Sequence, residues 1–233
     1  MINKTIPNLH NKKINKVYHL ADLHIRNLKR HKEYRSVFTN FINEVKKNDL
    51  DDAIIYIGGD IAHAKTEMSP ELVHMISQFL NDCANLHPTF VITGNHDCNQ
   101  NNPHRMDVIT PIVDNISNND LHYLRDTGTY QIGNLTVGVY SIFDDKENWP
   151  DGNEIEGENK ICWFHGPVDK TMTDIGYEVS SRSFTVPIFD GYHIAMLGDI
   201  HKRQVAQEYN EEYIEVNEDE VDKYLENGWE ICD

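Results

Sequence analysis

In the first 93 residues, short continuous apolar runs alternate with longer stretches whose apolar positions have helical spacing. The runs at 17–21, 53–57 and 89–93 have the length and composition of buried strands. Between the first two, apolar positions at helical spacing predict an amphipathic helix: Val37, Phe38, Phe41, Ile42 and Val45. A second helix is predicted from Ser69-Pro70, with an apolar face of Leu72, Met75, Ile76, Phe79, Leu80 and Cys83. Strands separated by helices indicate parallel strands with right-handed crossovers.

The pattern changes after residue 104, where short strands replace the alternation of strand and helix. We expect these elements in order: a helix at 105–116, a strand at 121–124, a hairpin of 130–132 and 135–142 around Gly133-Asn134, an acidic loop at 144–159, and strands at 161–164 and 192–197. The chain therefore predicts an α/β fold in which two mixed β-sheets pack as a sandwich with flanking helices.

Five short motifs rich in histidine and aspartate stand at the ends of apolar runs. They are Asp22-Leu-His24, Gly59-Asp60-Ile-Ala-His63, Gly94-Asn95-His96-Asp97, His165-Gly166 and Gly198-Asp199-Ile-His201. Each motif alone is typical of a turn, but functional residues of parallel sheets gather just past the carboxyl ends of the strands. Five such motifs in order predict a metal site.

The residue types in these motifs suit two adjacent divalent ions that hydrolyse a phosphate ester. We interpret six side chains as metal ligands: Asp22, His24, Asp60, Asn95, His165 and His201. This mixture of oxygen and nitrogen ligands favours manganese, iron or zinc over magnesium alone or calcium. His63 and His96 lie beside ligands and are suited to contact the phosphate or to protonate the leaving oxygen.

Composition narrows the class of protein further. The 233 residues fit one domain, and no apolar stretch approaches the ~20 residues that cross a bilayer, so no membrane contact is expected. We see no signal peptide and expect a cytoplasmic or host-cell intracellular protein whose four cysteines are reduced. The formal net charge of −17 argues against tight, independent binding of nucleic acid, although bound metals and a partner protein could supply the positive charge that such binding needs.

The motifs resemble those of the calcineurin-like metallophosphoesterases. The similarity extends to the nuclease subunit of SbcCD and MRN-type DNA repair complexes, particularly its viral and phage relatives. It covers about 15–207, through the stretches 21–34, 94–99, 105–112, 121–128 and 198–204. The resemblance implies the same six ligands, with His63 and His96 as the histidines that orient the phosphate and donate the proton. It also implies a manganese-dependent exonuclease and endonuclease acting on DNA ends in repair and recombination, alongside an SMC-like ATPase subunit, and it leaves a homodimer open.

Two departures from that family pattern leave alternatives open. The last motif has Asp199 where cellular members have histidine, so Asp199 is either a metal ligand or a residue that orients one. The resemblance stops near Gln207, before the family's next core strand and capping domain. We therefore divide the chain into a nuclease domain at 1–207 and an acidic tail at 208–233. That tail is either a short helix at 218–227 or a segment like those of phage homing endonucleases.

The sequence alone is compatible with three functions. The first is the two-metal nuclease, favoured by the stretches 25–34 and 105–112. The second is a phosphatase of the same superfamily that acts on small phosphoesters, which the acidic composition favours slightly. The third is an inactive or split-gene fragment that acts as a binding module, against which the intact ligand set argues.

Overall fold

A computed structural model describes residues 2–10, 12–48, 51–180, 184–209 and 212–216. Within these ranges the strands are β1 (Ile2–Thr5), β2 (Lys16–Leu20), β3 (Ala53–Ile57), β4 (Thr89–Val91), β5 (Leu121–Tyr123), β6 (Gly128–Ile132), β7 (Leu135–Tyr140), β8 (Asn159–His165), β9 (Ile194–Gly198), β10 (Val205–Tyr209) and β11 (Glu212–Val216). The α-helices are α1 (His31–Lys47), α2 (Pro70–Ala84) and α3 (Thr110–Val113), with 3₁₀ turns at Pro7–Leu9, Lys146–Asn148 and Val186–Phe189.

The first sheet has the strand order β2-β3-β4-β5, and all of its strands are parallel. Helices α1 and α2 form the first two crossovers, as the alternation in the sequence predicts. Leu20 pairs with Ile57, and Ile57 pairs with Val91, so these strands end level with one another. The loops that follow β2, β3 and β4 consequently leave the sheet at the same edge.

The second sheet has the order β1-β6-β7-β8-β9 and is mixed. Strands β6 and β7 are antiparallel and joined at Gly133, whose φ of 58° is the left-handed conformation that the predicted turn requires. Strands β7, β8 and β9 are parallel, and His165 at the end of β8 pairs with Gly198 at the end of β9. The fourth and fifth motifs therefore lie side by side.

The two sheets pack face to face around an aromatic centre. Tyr56 of β3 stacks on Trp163 of β8 with ring centroids 4.3 Å apart, and Phe90 of β4 lies 5.5 Å from the same indole. All three side chains are fully buried. Because β-strand side chains alternate between faces, the neighbours Ile55 and Ile57 point the other way, into the layer beneath the helices.

Helices α1 and α2 cover the outer face of the parallel sheet, where Phe38 stacks on Phe79 at 3.9 Å. Ser69 accepts a hydrogen bond from the Leu72 backbone and caps α2, as predicted. The outer face of the mixed sheet carries aromatic loop residues around Phe164 instead. The predicted two-sheet α/β sandwich with flanking helices is confirmed, with one sheet mixed and the other parallel.

The helix predicted at 105–116 is wrong over most of its length, since α3 contains four residues. Tertiary hydrogen bonds explain the difference. The Val108 backbone donates to the Asp97 carbonyl, and the buried Asp107 carboxylate accepts from the backbone of Ile109 and Thr110. These bonds hold the segment before α3 as a loop against the motif that contains Asp97.

Beyond the last motif, β10 and β11 form an antiparallel hairpin that is a separate two-stranded sheet. The helix considered at 218–227 lies outside the described residues, and the domain division at 207 stays a prediction. Cys83, Cys98 and Cys162 are buried free thiols, as expected, while Cys232 lies outside the described residues. None of the described helices combines the length and apolar character needed to cross a membrane.

Candidate metal centre

The loops after β2, β3, β4, β8 and β9 meet at one edge of the sandwich, and backbone hydrogen bonds join them. Asp22 donates its backbone N–H to the Gly59 carbonyl at 3.1 Å, and His24 donates to the Asp60 carbonyl at 2.8 Å. The Asp199 N–H donates to the Asp22 carboxylate at 2.9 Å. These bonds bring side chains from all five motifs into one cluster, although Asp22 and Asp199 are 177 residues apart in the sequence.

Several of these residues have a backbone conformation that L-amino acids rarely adopt. Asp22, His24, Asp60 and Asp199 have φ values of 56°, 44°, 53° and 84°. Aspartate tolerates the left-handed region better than most residues, but the conformation is still unfavourable. Such strain concentrates at functional sites, where the surrounding structure holds it in place. Here it turns the carboxylates off the strand ends toward one another.

Asp60 and His165 form the buried centre of the cluster. Both are about 1% exposed, and His165 Nε2 lies 3.4 Å from Asp60 Oδ1. His165 Nδ1 donates to the Gly58 carbonyl at 2.7 Å, which directs Nε2 into the cluster. Burial opposes a charge on this imidazole, yet the neighbouring Asp60 carboxylate raises the pKa of His165 to about 9.

Asp22, His24 and His201 form a second group beside this centre. Their ligand atoms lie within 4.8 Å of one another, and the Nε2 atoms of His24 and His201 are 3.2 Å apart. Burial lowers the pKa of His24 to about 4, so the imidazole is neutral at physiological pH. A neutral imidazole has the lone pair that a metal ligand needs.

Asn95 and Asp199 meet at the same edge. The Asn95 amide Nδ2 donates to Asp199 Oδ1 at 2.9 Å, and His165 Nε2 lies 3.8 Å from that oxygen. The carboxylate of Asp199 thereby orients the amide of Asn95. This contact is compatible with both roles that the sequence left open for Asp199, a metal ligand or a residue that orients one.

His63 and His96 lie on one side of the cluster with their rings stacked at a centroid distance of 5.8 Å. The His96 ring lies 4.7 Å from that of His24, and His96 Nδ1 contacts the His63 carbonyl at 2.8 Å. The His96 backbone also donates to Asp60 Oδ1 at 2.8 Å. Burial lowers the pKa of His63, and the positive charge of Arg26 acts in the same direction. The structure thus brings all nine predicted site residues together.

Asp97 is a residue whose function the sequence did not reveal, although it stands in the third motif. Its buried carboxylate accepts backbone N–H bonds from Ile61 at 3.3 Å, Ala62 at 2.9 Å and Gly94 at 3.0 Å. Burial raises the pKa of Asp97 to about 7 in spite of these bonds. The side chain ties the loop that carries Asp60 to the loop that carries Asn95 and His96. The motif itself offers no signal for this, since the partners are backbone groups.

Glycines in the motifs allow these loops to approach closely. A Cβ atom at Gly94 would overlap the backbone nitrogen and carboxylate of Asp60. At Gly59, whose φ is 89°, a Cβ would lie 2.6 Å from the Gly94 nitrogen and 2.7 Å from His165 Nδ1. Neither position has space for a side chain.

The donor set of this cluster fits divalent metal ions. Asp22, Asp60 and His165 offer atoms within 4.8 Å of one another, as do Asp22, His24 and His201. In the described part of the chain, the buried His165 Nε2 has no hydrogen bond of good geometry, only ion-pair contacts with the Asp60 and Asp199 carboxylates at 3.4 and 3.8 Å. Buried polar atoms of this kind are costly unless they bind a partner, and a metal ion is the partner that carboxylates and imidazoles share.

Comparison with known proteins agrees with this arrangement. Residues 15–203 match the family model of the calcineurin-like phosphoesterases. The chain belongs to this family. The match extends over the five motifs and over strands β2 to β9, so the predicted family is confirmed. As a calcineurin-like phosphoesterase, the protein is a metal-dependent hydrolase with candidate metal-binding groups at the expected edge of the fold.

This phosphoesterase also resembles a viral protein and a solved structure. It is 42% identical over 205 residues to the uncharacterised protein R555 of Acanthamoeba polyphaga mimivirus, covering 82% of this chain. The chain spans about 15% of the length of that relative. The crystal structure of Pseudomonas putida nuclease MPE aligns with a TM-score of 0.38 at 13% identity, covering 86% of this chain and 87% of the nuclease.

Proposed function

We propose that this phosphoesterase is a two-metal phosphodiesterase that cleaves DNA, the catalytic core of a repair or recombination nuclease. The convergence of Asp60, His165 and the flanking ligands with two histidines at one edge of the sandwich carries this proposal. The cluster combines ligands for divalent cations, which would bind the phosphate, with histidines placed to donate a proton.

Six side chains would hold the two ions, with Asp60 placed to contact both groups of ligands. They are Asp22, His24, Asp60, Asn95, His165 and His201. When bound, divalent ions supply Lewis acidity toward the phosphate and lower the pKa of water. The mixed oxygen and nitrogen set, together with the family resemblance, leads us to propose manganese.

The chain's own residues have separate functions in this proposal. Asp97 and Asp199 fix the loops and the Asn95 amide, so that the ligands are held in place before a substrate binds. His63 and His96 face the phosphate on the side of the leaving group, where His96 donates a proton to the departing 3′ oxygen. Its Nδ1 is occupied by the His63 carbonyl, which leaves Nε2 for this transfer.

The test is manganese-dependent cleavage of end-labelled single- and double-stranded DNA. We expect the wild type to cleave, and His96→Ala and Asp60→Ala each to lose at least 100-fold in rate. His10→Ala, an exposed histidine outside the cluster, is the matched control and should cleave at the rate of the wild type. Manganese binding measured by calorimetry should survive in His96→Ala and weaken in Asp60→Ala.

Other outcomes would contradict the proposal in distinct ways. Faster hydrolysis of a phosphomonoester than of DNA would indicate the phosphatase. Failure of the folded protein to bind manganese would indicate a binding module. Cleavage equal in His96→Ala and the wild type would remove the assigned proton donor.

We also propose that this catalytic unit binds DNA weakly by itself and works with an SMC-like ATPase, as a monomer or homodimer. The net charge of −17 supports a partner that supplies cationic surface. Co-purification with such an ATPase, followed by a gain in cleavage rate on adding it, would test the partnership. An unchanged rate in the reconstituted complex would contradict it.

A further inference from the structure

Basic residues are unevenly distributed along this acidic chain. Residues 1–48 contain 11 Lys and Arg against 3 Asp and Glu, so the remaining 185 residues contain only 10 basic against 35 acidic residues. Two of those ten, Lys65 and Arg105, line the same pocket of about 70 Å³. Its other lining residues are uncharged: Thr66, Cys98, Asn99 and Met106. The pocket thus combines two cations with no lining carboxylate, a composition that favours an anion.

This pocket lies next to the two histidines of the site. Lys65 follows His63 by two residues, and Cys98 follows His96 by two residues. Two residues of chain span at most about 7 Å, so the backbones of Lys65 and Cys98 lie within that distance of those of His63 and His96. The pocket therefore adjoins these two histidines, on the side of the cluster that the proposed function assigns to the leaving group.

The Lys65 and Arg105 side chains can bind an anion, and hydrogen bonds from Arg125 hold the loop that carries Arg105. Lys65 and Arg105 are both exposed and form no ion pair with any residue in the described ranges. The neighbouring Arg125, by contrast, is committed to the buried Asp107 carboxylate at 3.0 Å and to the Pro103 carbonyl at 3.3 Å. Arg125 thus anchors the loop and leaves Arg105 to face the pocket.

We propose that Lys65 and Arg105 form a subsite for a backbone phosphate of the nucleic acid strand, next to the scissile phosphate and on its leaving-group side. The inference rests on the proposed function and narrows its substrate class to a strand with at least two successive phosphodiesters. A small phosphoester would contact the metal cluster and leave this subsite empty. The guanidinium and ammonium groups suit phosphate oxygens, and neither reads base identity.

The experiment measures binding rather than cleavage, so it does not depend on turnover. Fluorescence anisotropy follows a labelled 12-nucleotide single strand bound to the manganese-loaded His96→Ala protein over a range of salt concentrations. Lys65→Gln/Arg105→Gln is then added to this parent, and Lys12→Gln/Lys46→Gln is the control with the same change in net charge. Lys46 lies in the last turn of α1, whereas the Tyr34 hydroxyl, near the start of that helix, contacts the His24 carbonyl.

Loss of the contacts to this one phosphate should reduce the slope of log K against log salt by about 0.7, the value for one neutralised phosphate of a single strand. The control pair should change the slope by less than half of that. Equal slopes in the two double variants, or a parent that shows no salt-dependent binding, would overturn the subsite. A reduced slope in a protein whose wild type cleaves no DNA would retain the subsite and contradict the proposed nuclease.

Discussion

Replacement of Asp97 should destabilise the loops of the site without removing a proposed metal ligand. This carboxylate is buried and accepts three backbone N–H groups, from Ile61, Ala62 and Gly94. All three partners are backbone groups rather than proposed metal ligands. The substitutions Asp97→Asn and Asp97→Ala remove its hydrogen bonds in steps, one in the first case and all three in the second.

The expected magnitudes follow from the geometry of each oxygen. Oδ2 accepts from Ile61 and Gly94, while Oδ1 accepts from Ala62. An asparagine that keeps its carbonyl at Oδ2 leaves one buried N–H without an acceptor, which costs about 1–3 kcal/mol. Alanine leaves three, and we expect a loss of roughly 3–5 kcal/mol in the free energy of unfolding. That is a large part of the ~5–15 kcal/mol typical of a whole domain.

The assay is urea denaturation at pH 5, below the pKa of about 7 that burial gives Asp97, because ionising this buried carboxyl at higher pH would itself destabilise the wild type. Asp82→Asn, on the exposed face of α2, is the matched control and should remain within about 0.5 kcal/mol of the wild type. Manganese affinity should fall roughly 10- to 100-fold in Asp97→Asn, because the loops carrying Asp60 and Asn95 lose their shared anchor. Unfolding free energies that match the control in both variants would refute the reasoning.

Four further expectations come from other parts of the fold. Trp163→Ala should lower the free energy of unfolding by about 3–5 kcal/mol in urea denaturation, because the indole fills the space between the sheets; a loss below about 1 kcal/mol would contradict this. Burial alone would raise the pKa of Asp107, but hydrogen bonds from Thr110 and Arg125 lower it below the usual value. A depressed carboxyl pKa stabilises the fold above about pH 4, and that stabilisation disappears as the pH falls through the folded pKa. The stability difference between wild type and Asp107→Asn should therefore shrink between about pH 5 and pH 3 in urea titrations, and a constant difference would exclude the linkage. Gly94→Ala should abolish manganese binding in calorimetry, since its Cβ would overlap Asp60; retained affinity would show that the loops can separate. Manganese at about 100 times its dissociation constant should raise the unfolding free energy by about 2.7 kcal/mol, and a melting temperature insensitive to manganese would argue against a site in the native state.

The sequence predicted the position of the candidate site because parallel strands place their carboxyl ends at one edge. Asp22, Asp60 and Asn95 each follow a buried apolar run, and that local signal is sufficient to bring them together. The alternating pattern likewise predicted α1, α2 and the hairpin around Gly133, since each depends on residues close in sequence.

Features that depend on distant backbone groups were not visible in the sequence. Asp97 binds N–H groups about 36 residues away, and no side-chain pattern marks such partners. A helix was predicted at 105–116, but the backbone N–H groups of Val108 and Ile109 donate to the Asp97 carbonyl and the Asp107 carboxylate instead. The position of Lys65 and Arg105 in one pocket was also not visible in the composition, because the net charge averages over the whole chain.

The left-handed backbone at Asp22, Asp60 and Asp199 has a consequence for how this protein responds to selection in the laboratory. Glycine at such a position would relieve roughly 1 kcal/mol of strain, but at Asp60 it would also leave the buried His165 and the His96 N–H without their partner. A library sorted by melting temperature alone, without metal, would therefore accumulate glycine at Asp22 and Asp199 and keep Asp60. The most heat-resistant clones from that library would be the ones that had lost a proposed metal ligand.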